Sequence, residues 1–239
     1  MTMLIRVEPE LIKLQQHLNK MGIKSSIPET RLDFEADYVD SILLGTKDGI
    51  GNAGSLMLEN SSLDYIQVLK KQEFVNCDYV MGSHVGMGLH KHSWWKLRIF
   101  LTFPEPIVLG PLDLGTITTI KKKLFSSEVE SFIWNGYQRL TTLPPGLIRD
   151  SVGDALYQDQ TLRQLMTKCL IKEQIIRVSR YSPKQTETFR TNSQIVIESH
   201  WKLLKDIHLG YEAIEMYERM AEIIKDKVDE LRYHLRQMG

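Results

Sequence analysis

The C-terminal part of the sequence carries a heptad repeat that needs a partner surface along its length. Between Ile207 and Met238, nine of ten seam positions are apolar, and Gly210 is the exception. A helix of ~32 residues is ~48 Å long, and a continuous apolar stripe on it must be covered by another helix or by a protein body. The seam predicts self-association, packing on the chain's own N-terminal part, or a helical hairpin broken at Gly210. Met216 and Met220 widen the stripe and favour burial in a protein body. The seam residues proposed for dimerisation are Ile207, Ile214, Tyr217, Ala221, Ile224, Val228, Leu231 and Leu235.

The whole chain has ordinary globular composition. It contains 239 residues, of which 42% are apolar and 25% charged, and this length predicts about two modules besides the C-terminal helix. The apolar runs are far shorter than the ~18 residues of a membrane helix. Cys77 and Cys169 match neither a disulfide framework nor a metal-binding spacing, and the start of the chain lacks a secretory pattern. A cytoplasmic protein with no membrane partner is therefore expected.

Charge is distributed unevenly although the net charge is zero. Residues 1–119 carry a net charge of −3, residues 120–190 carry +5, and residues 191–239 carry −2. A basic segment between acidic flanks is typical of a nucleic-acid-binding module, because locally clustered Lys and Arg side chains attract the phosphates of a nucleic acid. Ordinary scatter in composition is the alternative interpretation.

The N-terminal part reads as mixed α and β structure. Helical spacing predicts a helix over 9–21, and a second helix is predicted around 63–71. Short apolar runs such as 55–58 and 97–103 predict strands. The fold class is therefore α+β. We predict a mixed α/β sensor or interaction domain over 1–120, a central domain over 121–198, and a C-terminal dimerisation helix over 199–239.

The central part predicts three helices followed by two strands. The helices are placed at 126–140, at 147–157 and directly after Asp159, which is a good N-cap residue. Two β-branched segments, 174–182 and 188–198, then form a hairpin with a basic tip.

This order of elements resembles the winged helix-turn-helix superfamily over residues 126–198. The residues that carry the resemblance are the capped helix at 159–172, the KEQIIRV join at 172–178 and the hairpin tip at 182–186. In that superfamily the third helix lies in the major groove and the hairpin contacts the DNA backbone. The resemblance implies that Arg163, Gln164, Thr167 and Lys168 lie near base edges, and that Arg177, Arg180, Lys184 and Arg190 contact the backbone. A winged helix used for protein contacts is the alternative.

The composition of the third helix favours DNA. Residues 160–172 contain no acidic side chain, so nothing on this segment repels phosphate. Arg163 and Gln164 are the residue types that form bidentate contacts with guanine and adenine.

Two other motifs point to different chemistry. His84, His90 and His92 lie within nine residues, and His90 and His92 have the spacing of two ligands for one divalent metal ion, with His84, Asp78 or Cys77 as a third. Clustered histidines on an exposed loop are the alternative. The glycines at 49–54 fit a dinucleotide fingerprint, but no adequate helix follows them, so a glycine-rich turn is predicted.

Together these features predict a cytoplasmic, dimeric DNA-binding protein that regulates transcription. Its partners would be double-stranded DNA, a second copy of the chain, and a small-molecule or protein effector sensed by the N-terminal domain. No cofactor is predicted beyond the metal hypothesis, and no nucleophile or paired acid is recognisable, so an enzyme is not favoured. The alternatives are a metal-dependent enzyme centred on the three histidines and an assembly protein.

Overall fold

The chain forms four helices and eight strands within the part that the computed structural model describes. These residues are 9–28, 48–81, 84–105, 107, 112–122, 127–136, 147–169, 175–180, 194–200 and 211–238. The helices are α1 (Pro9–Lys20), α2 (Leu147–Gln158), α3 (Gln160–Cys169) and α4 (Tyr211–Met238). The strands are β1 (Lys24–Ser26), β2 (Asp48–Glu59), β3 (Tyr65–Met81), β4 (His84–Thr102), β5 (Asp113–Lys122), β6 (Ser127–Gly136), β7 (Ile175–Arg180) and β8 (Gln194–His200). The predicted α+β class is confirmed.

The eight described strands form one antiparallel sheet in the order β1-β2-β3-β4-β8-β7-β5-β6. Strand β8 lies between β4 and β7, so strands from the N-terminal and central parts of the chain are hydrogen-bonded side by side. The proposed domain boundary at residue 120 falls inside β5.

The four helices cover one face of this sheet. Helix α1 packs on β1 and β2, helices α2 and α3 pack on β6, and α4 packs on α2 and α3. Strand alternation sends Leu97, Ile99 and Leu101 of β4 into the core beneath the helices. Phe100 and Val196 lie on the opposite face and are also fully buried, so the middle of the sheet is shielded on both sides.

A glycine allows α1 to approach the sheet closely. Gly54 lies beside a bulge in β2 and has a φ of +124°. A Cβ atom at this position would lie 2.7 Å from Cδ2 of Leu11. Only glycine combines this backbone conformation with that contact.

Three local predictions are wrong, and in each case a neighbouring strand determines the outcome. The predicted helix 126–140 is strand β6 over Ser127–Gly136, where Phe132 is buried and Ile133 is half-exposed, as strand alternation requires. The segment 63–71 lies mostly in β3, which pairs with β2 and β4. The glycine-rich segment predicted as a turn lies within β2. From β6 onward the order is therefore strand, helix, helix, strand, strand, and not three helices followed by two strands.

The prediction that the α4 seam pairs two subunits is also wrong for its central residues. They pack within the same chain, in the core formed by the sheet and the other helices. The buried seam residues are Ile214, Tyr217, Ala221, Ile224, Val228 and Leu231. Met216 and Met220 are buried as well, so the stripe is wide enough to cover both α2 and α3. Leu235 is exposed, and Ile207 and Gly210 lie outside the described residues.

Candidate nucleic-acid interface

Asp159 fixes the start of α3 and ties it to α4. One carboxylate oxygen, Oδ1, accepts a hydrogen bond of 2.7 Å from the backbone N–H of Leu162, which confirms the predicted N-cap. The other oxygen, Oδ2, accepts hydrogen bonds from Arg219 Nε at 3.2 Å and Nη2 at 2.6 Å. The Arg219 guanidinium holds the pKa of Asp159 below its ordinary value of 3.8. The orientation of α3 is therefore set by a charged contact outside the helix.

Helix α3 divides cleanly into a buried face and an outward face. Leu162, Leu165 and Met166 are buried in the core. The opposite side is exposed and is called here the α3 stripe, which consists of Gln160, Arg163, Gln164, Thr167 and Lys168. The α3 stripe lines an open depression of about 590 Å³. Hydrogen-bonding groups therefore lie along one side of a ten-residue helix with a concave surface beside them.

The cationic character of the α3 stripe is greatest near its first turn. The Arg163 guanidinium carbon lies 5.1 Å from the ring centroid of Tyr157, a residue of α2, which orients the side chain. Lys168, one turn later, is 3.3 Å from Glu212 of α4, so part of its charge is offset. No carboxylate belongs to the stripe itself. Arg163 is therefore its dominant cation.

The structure confirms the exposure predicted for four of the proposed DNA-contacting residues. Arg163, Gln164, Thr167 and Lys168 are exposed and lie together on one face of α3. Gln160 belongs to the same face but was missed. It could have been found from the helical period, because it precedes Arg163 and Gln164 by three and four residues.

Two of the residues proposed to contact the DNA backbone occupy interior strands instead. Arg177 donates from Nε and Nη2 to the two carboxylate oxygens of Asp113, each at 2.8 Å. Arg180 is 7% exposed, and burial lowers the pKa of its guanidinium. These positions do not favour the predicted DNA contacts, because the Arg177 guanidinium is held by Asp113 on the face of the sheet opposite the helices and the Arg180 side chain is buried. Lys184 and Arg190 lie outside the described residues.

Arg177 belongs instead to a row of polar side chains that crosses the sheet. Residues in this row are direct register partners on neighbouring strands, on the face opposite the helices. The buried polar row consists of Ser55, Gln67 and Glu198, which are buried, and of Arg98 and Arg177, which are partly buried, with the partly buried Asp113 at its end. Arg98 Nε is 3.2 Å from Glu198 Oε2, and Arg177 Nη1 is 3.9 Å from Glu198 Oε1. Two arginines thus balance two carboxylates, as a structural ion network requires.

The histidines proposed as metal ligands all lie in β4. Their backbones are paired with β3, where His84 is opposite Met81, His90 is opposite Val75 and His92 is opposite Glu73. Six residues of continuous strand separate the backbones of His84 and His90 by about 20 Å, whereas metal–ligand bonds are about 2 Å long. The prediction that His84 completes a site with the other two is therefore wrong for a single chain.

The metal hypothesis is left with His90 and His92, and with Asp78 or Cys77 as the third ligand. Among the side chains that the structure describes, no three potential ligands are grouped to hold a metal ion. The side chains of these histidines lie outside that set.

Comparisons with protein families, with curated proteins and with solved structures gave no match to this chain. None of the helices in the described ranges is both long enough and apolar enough to cross a membrane.

Proposed function

We propose that this protein binds double-stranded DNA through the α3 stripe and regulates transcription in the cytoplasm. The observation that carries the proposal is the composition of an exposed helix face: two cations, two amides and a hydroxyl, with no carboxylate among them. The major groove is about 12 Å wide and admits a single α-helix. A ten-residue helix, about 15 Å long, spans enough of it to meet several base pairs.

Each residue of the stripe has a distinct role in this proposal. Arg163 forms a bidentate contact with guanine, and Gln164 does the same with adenine. Gln160 and Thr167 extend the polar surface on either side of them. Lys168 lies near the phosphates, and its contact with Glu212 at 3.3 Å must loosen when it meets one. Sequence is thus read mainly in the first half of α3.

The proposal omits two features predicted from the sequence. Arg177 and Arg180 take no part, because they are committed to the interior of the sheet. The α4 seam does not pair subunits, because it is buried within the chain. Lys184 and Arg190, between β7 and β8, are retained as backbone contacts, and the N-terminal module is retained as the part that receives an effector.

Fluorescence anisotropy with labelled duplexes across a range of salt concentrations tests the proposal. The wild-type protein should bind more weakly as salt rises, because bound phosphates release counterions. Arg163→Gln should weaken binding to a preferred duplex by about 5- to 150-fold, and Lys168→Gln should reduce the salt slope by about one.

A matched control is available on the opposite side of the molecule. Lys24 is exposed and ion-paired with Glu59, much as Lys168 is with Glu212. Lys24→Gln should leave both affinity and salt slope unchanged. Equal losses in Lys24→Gln and Lys168→Gln would show that binding is diffuse and does not involve α3, and no salt-dependent binding at all would remove the proposal.

A further inference from the structure

Strand β6 forms one end of the sheet. Within the described residues it pairs only with β5, and its other edge has no strand partner. Soluble proteins usually protect such an edge with charges, prolines or bulges, since unpaired backbone groups there can recruit another strand. β6 has a register irregularity opposite Thr119 and Ile120. That irregularity falls at Glu130, so the segment 131–136 remains a regular edge.

Two isoleucines lie side by side on the exposed face of this edge. Ile117 of β5 and Ile133 of β6 are direct register partners and are 52% and 50% exposed. Their neighbours along the two strands, Thr119 and Ser131, are exposed as well, whereas Phe132 is buried against the helices. Apolar surface therefore reaches the open edge on the side of the sheet that α2 and α3 leave uncovered.

We propose that β6 pairs with β6 of a second copy of this chain, in antiparallel orientation about a two-fold axis at Ile133. This register places Ile133 opposite the partner's Ile133 and forms a continuous row of four isoleucines, two from each copy. The regular segment 131–136 carries no charged side chain, so no carboxylates face each other across the axis. The pairing therefore opposes no like charges and covers the exposed isoleucines of one copy with those of the other, which favours a second copy over an unrelated partner.

The pairing differs from the dimer predicted through α4, and it does not depend on DNA binding. A strand pair formed by the segment 131–136 buries less than the ~800 Å² per partner of a standard interface. The dimer is accordingly weak, with a dissociation constant on the order of 10–100 μM.

Sedimentation velocity of the full chain tests this pairing. Measurements from about 1 to about 300 μM extend below and above the expected dissociation constant. The wild-type protein should shift from monomer to dimer as concentration rises. Ile133→Lys should weaken dimerisation at least about tenfold, because a lysine on the edge strand opposes pairing. Ile117→Lys should weaken it less, because Ile117 lies on β5, one strand away from the edge. Both positions are half-exposed, so the variants should fold, which circular dichroism can verify.

Ile12→Lys is the matched control, since Ile12 of α1 is also an exposed isoleucine, at 40%. It should dimerise like the wild-type protein. A wild-type protein that stays monomeric throughout, a dimer that survives Ile133→Lys, or equal weakening by Ile12→Lys would each overturn the proposal.

Discussion

Asp159 and Arg219 connect the proposed DNA-reading helix to the C-terminal helix through a single shared carboxylate. Arg219 donates twice to Oδ2 of Asp159, while Oδ1 caps α3. Arg219 is in turn 3.0 Å from Glu222. Because Arg219 belongs to α4, this contact holds α3, and with it the α3 stripe, against the C-terminal helix.

This contact predicts an acid-dependent loss of stability. The pKa of Asp159 is lowered in the folded state, so its contribution is fully present above the ordinary value of 3.8 and is lost as pH falls through the lower folded value. At pH 7, Asp159→Asn should be less stable by about 0.5–1 kcal/mol, because asparagine still caps the helix but loses the ion pair. Urea unfolding of both proteins at several pH values checks this. The difference should shrink below pH 3.8, and a constant difference down to the acid limit would contradict the assignment.

The close approach of α1 to the sheet predicts a severe effect at one glycine. Gly54→Ala should lower the free energy of unfolding by about 2–4 kcal/mol, because the new Cβ meets Leu11 and the backbone has a positive φ. Gly22→Ala separates these causes, since Gly22 has a φ of +85° but nothing within 4 Å of the added Cβ. Its expected cost is about 1–2 kcal/mol. Urea unfolding measures both, and equal costs would mean that the contact with Leu11 is unimportant.

Because most of the α4 seam is buried within its own chain, alanine substitutions at different seam positions should lower the free energy of unfolding by unequal amounts. Ile224→Ala should cost about 2–5 kcal/mol, because Ile224 is fully buried in the core of its own chain. Leu235→Ala should cost less than about 0.5 kcal/mol, because Leu235 is 40% exposed. In a coiled coil between subunits the two substitutions would be similarly damaging. Chemical denaturation of the two variants therefore distinguishes the arrangements.

The buried polar row predicts that a single charge is important for stability. Glu198→Gln should lower the free energy of unfolding by about 3–5 kcal/mol, because the nearly buried Arg98 loses its carboxylate partner, whereas Arg177 keeps its contact with Asp113. Glu222→Gln is the control, since Glu222 is an exposed carboxylate in an arginine pair and should cost under about 1 kcal/mol. Similar unfolding midpoints for the two variants would show that the row does not support the sheet.

Local signals in the sequence were sufficient to predict the four helices that the structure describes, although two further segments predicted as helices are strands. Asp159 has a short polar side chain directly before a helical repeat, and the structure confirms it as the cap of α3. The exposed stripe on the same helix follows from its apolar spacing alone. These features depend on residues within three or four positions of each other.

Features that depend on distant residues could not be predicted in this way. The segment around Phe132 has apolar spacing compatible with a helix, and only its pairing with β5 makes it a strand. Arg177 looked like a surface cation because Asp113, its partner, is 64 residues away. The α4 seam specified a surface to be covered but not the element that covers it.

Selection of preferred duplexes from a random pool tests most directly whether the α3 stripe reads DNA. The wild-type protein should enrich a defined motif, and Gln164→Ala should relax the preference at one position while leaving the others intact. A pool that stays random after selection with the wild-type protein, or a motif that Gln164→Ala and Arg163→Gln both leave unchanged, would contradict the proposal.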